Sequence, residues 1–246
     1  MKLNIYDTVD ELLLKLAEYV VISAKDAIAK NGRFSLSLSG GSSPEKLYQL
    51  LASDAFKQRI DWSKVDFFFG DERYVPATDA ASNFKMVNTV LFEPLQIDPA
   101  QQFAVNTSLT PEAAAANYMD KINTYFNGKE PRFDLVLLGL GDNSHTASLF
   151  PFTNILHETE ASIKAVFLTE HQVFRISFTA PLINLAHRIA FLVYGEGKSR
   201  AVLNILEGAE DIDNFPAQLI KPTDGEVEWF LDKAAASLID QPGIAG

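Results

Sequence analysis

Apolar residues recur at Val9, Leu12, Leu13, Leu16, Val20, Val21, Ala24 and Ile28. This is helical spacing. Thr8 and Glu11 open the segment with a capping-box pattern, and Asn31-Gly32 closes it. Phe34 to Ser39 then alternates strictly between apolar residues and serine, which predicts a strand. Val65 to Gly70, Phe133 to Leu138 and Ile189 to Gly195 are nearly unbroken apolar runs. Such runs predict strands buried on both faces of a parallel sheet. Ile163 to Leu168 and Val173 to Thr179 also read as strands. Further helices are expected from Pro44 to Leu51, from Ser82-Asn83 to about Leu91, and from Thr110-Pro111-Glu112 to Asn127-Gly128. Another runs from Glu196 to Gly208, and a tail helix from Asp232 to Leu238, with Gln241-Pro242-Gly243 read as a structural end. Strands alternating with helices, without repeat or linker, predict one α/β domain over residues 1–246 with a mostly parallel sheet.

Composition narrows the partners. The chain has 246 residues, 21 basic against 32 acidic, for a net charge of −11. An acidic balance disfavours nucleic acid and anionic membrane, both of which need a basic face. There is no cysteine, so disulfides and thiolate chemistry are excluded. The first residues lack the pattern of a signal peptide, and no apolar run approaches the ~20 residues of a membrane helix.

The polar clusters fall at strand ends. After Leu138 the chain reads Gly139-Leu140-Gly141, then Asp142, Asn143, Ser144, His145, Thr146 and Ser148 before Leu149-Phe150-Pro151. Ligands of open α/β sheets sit at the C-terminal ends of strands. His145 exchanges a proton near neutral pH and is the candidate general base; the alternative is a packing or capping histidine. No third glycine follows, so no nicotinamide or flavin site is read. No paired-histidine spacing offers a metal site.

Gly40-Gly41-Ser42-Ser43 lies between a strand and a helix that has Pro44 in its first turn and Ser43 as its cap. Free N–H groups and the positive end of the helix dipole make this an anion site or an ordinary capped turn. Arg73, behind Asp71 and Glu72, reads as a solvated ion pair or as a phosphate fork held by those carboxylates. Arg175 shares a face with Ser177 and Thr179, as a cavity wall or an exposed edge. Lys198 in the first turn of a helix opposes the dipole unless it meets an anion. An acidic chain that gathers Arg73, Arg175 and Lys198 at strand ends points to a small anionic ligand.

These segments resemble the 6-phosphogluconolactonase family. The resemblance rests on Ser39-Gly-Gly-Ser-Ser-Pro44, Asp71-Glu-Arg73, Ser82-Asn83, Gly139 to Pro151, Arg175 to Thr179 and Gly195-Glu-Gly-Lys198. His145-Thr-Ala-Ser-Leu-Phe-Pro151 is the most specific piece. The resemblance implies a three-layer α/β/α fold of the type shared with glucosamine-6-phosphate deaminase and ribose-5-phosphate isomerase. It implies a cytoplasmic enzyme of the oxidative pentose phosphate pathway that hydrolyses 6-phospho-D-glucono-1,5-lactone without metal or cofactor. His145 would then activate water. Gly40, Gly41, Ser42, Ser43, Arg73 and Lys198 would grip the phosphate, and Arg175 would line the site.

The family usually carries Asp-Gly before the histidine, where this chain has Asn143-Ser144. Asn143 is expected to orient His145, with Asp142 compensating for the lost charge. Backbone N–H groups from Gly141 to Ser144 are candidate oxyanion donors. Two alternatives remain: an amino-sugar-phosphate deaminase or isomerase using Asp71 or Glu72 as a further base, and a sugar-phosphate sensor without turnover. The sequence assigns no oligomeric state.

Overall fold

A computed structural model describes residues 1–169 and 172–240. The chain runs β1 (Lys2–Tyr6), α1 (Val9–Asn31), β2 (Phe34–Leu38), α2 (Ser42–Ala52), β3 (Val65–Phe69) and β4 (Asp71–Arg73). It continues through α3 (Asn83–Val87), a π-helical turn (Asn88–Phe92), α4 (Glu93–Leu95), α5 (Pro111–Tyr125) and β5 (Leu135–Leu138). Then come β6 (Ile163–Leu168), β7 (Val173–Phe178), α6 (Ala180–Asn184), β8 (Arg188–Val193), α7 (Ser199–Leu206) and β9 (Glu226–Asp232).

Six strands form one parallel sheet in the order β1-β9-β8-β5-β2-β3. The period of two in a strand splits each apolar run between two layers. Leu135 and Leu137 of β5, Phe67 and Phe69 of β3, and Ala190 and Leu192 of β8 face the cluster built on α1 and α2. Val136 and Leu138, Phe68, and Ile189, Phe191 and Val193 face the other cluster, with Tyr118 of α5 and Val202 of α7. The layering is therefore α/β/α with a mostly parallel sheet, as expected. The strict alternation of β2 does not expose its serines, because both faces are covered. Ser35 donates to the Asp134 carboxylate through its N–H (2.8 Å) and its hydroxyl (2.7 Å).

A second sheet, β4-β7-β6, is antiparallel and lies on the α5 side. This second sheet is not expected from the sequence, and its strand β4 is formed by the polar Asp71 to Arg73. Gly70 is the junction: its N–H donates to the Leu38 carbonyl of β2 (2.9 Å), and its carbonyl accepts from the N–H of Phe178, the last residue of β7 (2.8 Å). The chain thus passes from one sheet to the other across a single residue.

The helix expected up to Leu91 is split by the π turn that precedes Pro94, which has no N–H to continue the ladder. The tail helix expected from Asp232 to Leu238 is not formed. Asp232 ends β9, and turns follow it. Ala234-Ala235-Ala236 has high helix propensity, but the Asp232 carboxylate accepts from the Ala235 N–H (2.8 Å) and fixes a turn. Gln241-Pro242-Gly243 lies outside the described residues. No described helix is long and apolar enough to cross a membrane.

The strand order places the site. From β2 the chain goes outward to β3, then returns to β5 on the other side of β2. The connections leaving β2 and β5 part in opposite directions, and a crevice opens between their C-terminal ends.

Candidate active site

Two connections flank that crevice. The first leaves β2. Tyr48 of α2 secures its start: its hydroxyl accepts from the Ser39 N–H (3.0 Å) and donates to the Ser39 carbonyl (2.9 Å). Gly40 is forced by close approach, since a Cβ there would sit 1.8 Å from Asn83 Oδ1. Gly41, at φ 105°, is the N-cap of α2 and supplies no side-chain cap. The expected cap, Ser43, is the second residue of the helix, because the chain turns at the glycine that tolerates positive φ. The first N–H groups of α2 thus have no side-chain cap and open on the crevice through Ser42 and Ser43.

The second connection leaves β5 and turns tightly. The Gly141 N–H donates to the His145 carbonyl (2.8 Å), and the Ser144 N–H to the Gly141 carbonyl (2.9 Å). These bonds close the loop, so those two N–H groups are not oxyanion donors. Ser144 occupies the left-handed region at φ 63°, the conformation a glycine takes most readily. The imidazole of His145 stacks on Phe150 with centroids 4.0 Å apart. Its Nδ1 lies against Asn143 Oδ1. An amide oxygen accepts only, so Nδ1 carries the proton and Nε2 keeps its lone pair.

Asp142 makes no hydrogen bond to His145, and supplies only its charge, which raises the His145 pKa through space. It forms an ion pair with Lys198. Lys198 ends a 3₁₀ turn (Glu196–Lys198) just before α7 rather than sitting within a helix. That turn starts at Gly195, whose N–H donates to the Asp232 carboxylate at the end of β9 (3.0 Å). Burial, then Lys198, Arg175 and Arg73, push the His145 pKa from 6.5 down to about 4, against the opposing pull of Asp142. The imidazole is therefore neutral at pH 7.

The arginines come from the small sheet. Arg73 of β4 and Arg175 of β7 are direct cross-strand partners. Like charges placed opposite each other repel. Neither pairs with a carboxylate among the described residues: Arg73 Nη1 donates to the Ala81 carbonyl (2.8 Å), and Arg175 Nη1 makes a 3.3 Å contact to the Phe174 carbonyl. Burial and Arg73 lower the pKa of Arg175. Glu72 does not hold the Arg73 guanidinium. Its carboxylate accepts from the Asn83 N–H (2.7 Å), the Phe84 N–H (2.8 Å) and the Ser82 hydroxyl (3.2 Å), so it caps α3. β7 is the middle strand of its sheet, which removes the exposed-edge reading of Arg175. Ser177 and Thr179 are buried behind it and lie outside the cleft lining.

Gly40 to Ser43, Arg73, His145, Arg175 and Lys198 line one cleft of about 270 Å³. Asn143 and Asp142 lie behind its wall and reach it through His145 and Lys198. Three further residues join the site: Asn83 and Phe150 line the cleft, and Tyr48 braces the loop beneath it. Only the folded chain brings them there.

By proton NMR, the His145 ring is expected to titrate near pH 4. Lys198→Met removes the largest charge that opposes protonation, so the titration moves to higher pH. A titration that stays put in the variant would place Lys198 too far away to act. The sign for stability follows. Because the native pKa is depressed, this stabilising contribution is complete above 6.5 and is lost as pH falls toward 4.

Comparison with known proteins agrees with the fold. A 6-phosphogluconolactonase from Nostoc sp. is 36% identical, with 92% of this chain and 93% of that one aligned. The solved 6-phosphogluconolactonase of Trypanosoma cruzi superposes with a TM-score of 0.86 at 27% identity, covering 97% of this chain and 96% of that one. A solved monomeric glucosamine-6-phosphate deaminase, at 23% identity, has a TM-score of 0.83 over 97% of this chain and 100% of that one, which speaks for the fold alone. Residues 7–229 match the model of the glucosamine-6-phosphate isomerases/6-phosphogluconolactonase family, and the chain belongs to that family.

Proposed function

We propose that the protein hydrolyses 6-phospho-D-glucono-1,5-lactone to 6-phospho-D-gluconate. One observation carries this reading: a neutral imidazole with a fixed tautomer shares a cleft with two arginines that form no ion pair among the described residues. The arginines, Lys198 and the N-terminus of α2 bind the phosphate. Anchoring that end places the lactone carbonyl beside His145, so that a bimolecular attack becomes a local one. Nε2 takes a proton from water as its oxygen bonds to C1. The C1–O5 bond then breaks, and the imidazolium returns the proton to O5. The products are the ring-opened hydroxyl and a carboxylic acid, which releases its proton to solvent and leaves as the carboxylate.

Burial, and after it the cations that receive the phosphate, make His145 a weak base. A bound phosphate dianion offsets their charge and raises the imidazole pKa toward the range where a general base is most effective at neutral pH. Substrate binding thus activates the base. Asn143 fixes the tautomer without adding charge, so the Asn143-Ser144 pair does not argue for a sensor without turnover. The single domain expected over residues 1–246 is supported across the described residues, where both apolar layers cover the same sheet. The cytoplasmic setting and the cofactor-free chemistry follow from the family resemblance.

The test is hydrolysis of freshly generated lactone, followed by proton release against the spontaneous rate in buffer. Acceleration by the wild-type protein supports the reading. A spontaneous rate only, accompanied by ammonia release from glucosamine 6-phosphate, would replace it with the deaminase alternative.

A further inference from the structure

Asp71 is a buried carboxylate that the chemistry above leaves unused. It opens β4 and is 9% exposed. Its register partner is Ser177, two residues from Arg175, just as Asp71 is two residues from Arg73. Asp71, Arg73, Arg175 and Ser177 therefore lie on one face of the small sheet. That face meets the cleft, whose lining includes Asp71.

Only one oxygen of this carboxylate is engaged. Oδ2 accepts from the Ser148 hydroxyl at 2.7 Å. Ser148 is itself held, since its N–H donates to Ser177 Oγ (3.1 Å), whose hydroxyl donates to the Phe178 carbonyl (3.0 Å). The carboxylate is thus fixed in orientation by Ser148 and, through it, by Ser177. Oδ1 has no hydrogen-bond partner among the described residues, and neither neighbouring arginine forms an ion pair with it. A carboxylate offers about four acceptor sites, and Oδ1 is not sealed inside the protein but opens on the cleft.

The missing donor has a defined chemistry. It must come from the cleft, and it must be uncharged or positive, because the carboxylate repels a phosphate. The phosphate is therefore kept to the arginine side, and the polyhydroxylated body of the sugar faces the carboxylate. We infer that Asp71 is a specificity residue, its free carboxylate oxygen accepting a hydrogen bond from one ring hydroxyl of the sugar lactone. The inference rests on the lactonase reading above and deepens it. A site built to pair a substrate hydroxyl rejects the analogue that lacks it, because its own buried group is left unpaired. Asp71 would thereby select among 6-phospholactones that share phosphate and carbonyl but differ in their hydroxyls.

The experiment compares kcat/KM for the parent lactone with the 2-deoxy, 3-deoxy and 4-deoxy 6-phospholactones, in the wild-type protein and in Asp71→Asn. In the wild-type protein, one deoxy substrate is expected to fall about 10- to 100-fold below the parent, the scale of a hydrogen bond to a charged group. In Asp71→Asn, that same difference shrinks to within about 3-fold, while the ranking of the other two is unchanged. A residue with a merely structural role would lower all four rates together. The inference is overturned if no deoxy substrate falls more than about 3-fold in the wild-type protein, a result that does not depend on the variant folding. It is also overturned if Asp71→Asn keeps the wild-type discrimination. Failure of the lactonase reading is a separate outcome, seen as no hydrolysis of the parent. Calorimetric binding of 6-phosphogluconate and its deoxy analogues then reads the same contact without turnover.

Discussion

His145→Ala is expected to lower kcat by about 10²- to 10⁴-fold, the usual contribution of a positioned general base. Affinity for 6-phosphogluconate should change only a few-fold. The split follows from the placement of the groups. The proposed phosphate grip is Arg73, Arg175, Lys198 and the start of α2, which line the cleft, and His145 belongs to none of these elements. Alanine also removes the stack on Phe150, so thermal unfolding should accompany the kinetics. A variant that keeps the wild-type turnover would show that another group activates the water. One that loses product affinity and turnover together would mean that the imidazole is part of the grip instead.

Gly141→Ala is expected to cost on the order of 10²-fold in kcat, although the residue carries no reactive group. A Cβ at this position would lie 2.1 Å from both Nδ1 and Cε1 of His145. Its φ is not in the left-handed region, so the backbone itself accepts alanine. The ring must therefore move. It is held on its other sides by Phe150 and Asn143, and its retreat breaks the contact that sets the tautomer. Displacement of a reacting group by about 1 Å is enough for a loss of this size. NMR should report the same event as a changed His145 titration, with phosphate affinity retained. Unchanged kinetics and titration would show that the ring has room to relax and that close packing does not position it.

Parts of this molecule were legible in the chain because they depend on neighbours in sequence. Thr8 accepts from the Glu11 N–H (3.2 Å), and the Glu11 carboxylate accepts from the Asp7 N–H (3.3 Å), so the box closes one residue earlier than its ideal form. Thr110 and Ser82 cap their helices for the same local reason. The apolar runs of β3, β5 and β8 announced strands covered on both faces, and hence the layering. The stretch from Gly139 to Pro151 announced a polar turn at a strand end.

Of the small sheet, β6 and β7 were legible as strands, but β4 and the separate sheet it completes were not. β4 is three residues long and polar, and it exists only because β7 pairs with it. β9 was masked by an alanine-rich sequence just after it, and its identity as a strand comes from β1 and β8 on either side.

By itself, the sequence determined the helices with local caps, the buried parallel strands, the acidic balance and the identity of the polar groups at strand ends. Which of those groups work together was decided by tertiary structure. Arg73 and Arg175 are 102 positions apart and meet through strand register, which sets two like charges side by side. Glu72 was drawn away to α3, Asp142 to Lys198, and Asp71 was left facing the cleft. Charge pairing depends on distances of a few ångströms in a medium of low dielectric. Such distances arise only once the strand order has brought the ends of β2 and β5 together, and no spacing along the chain encodes them.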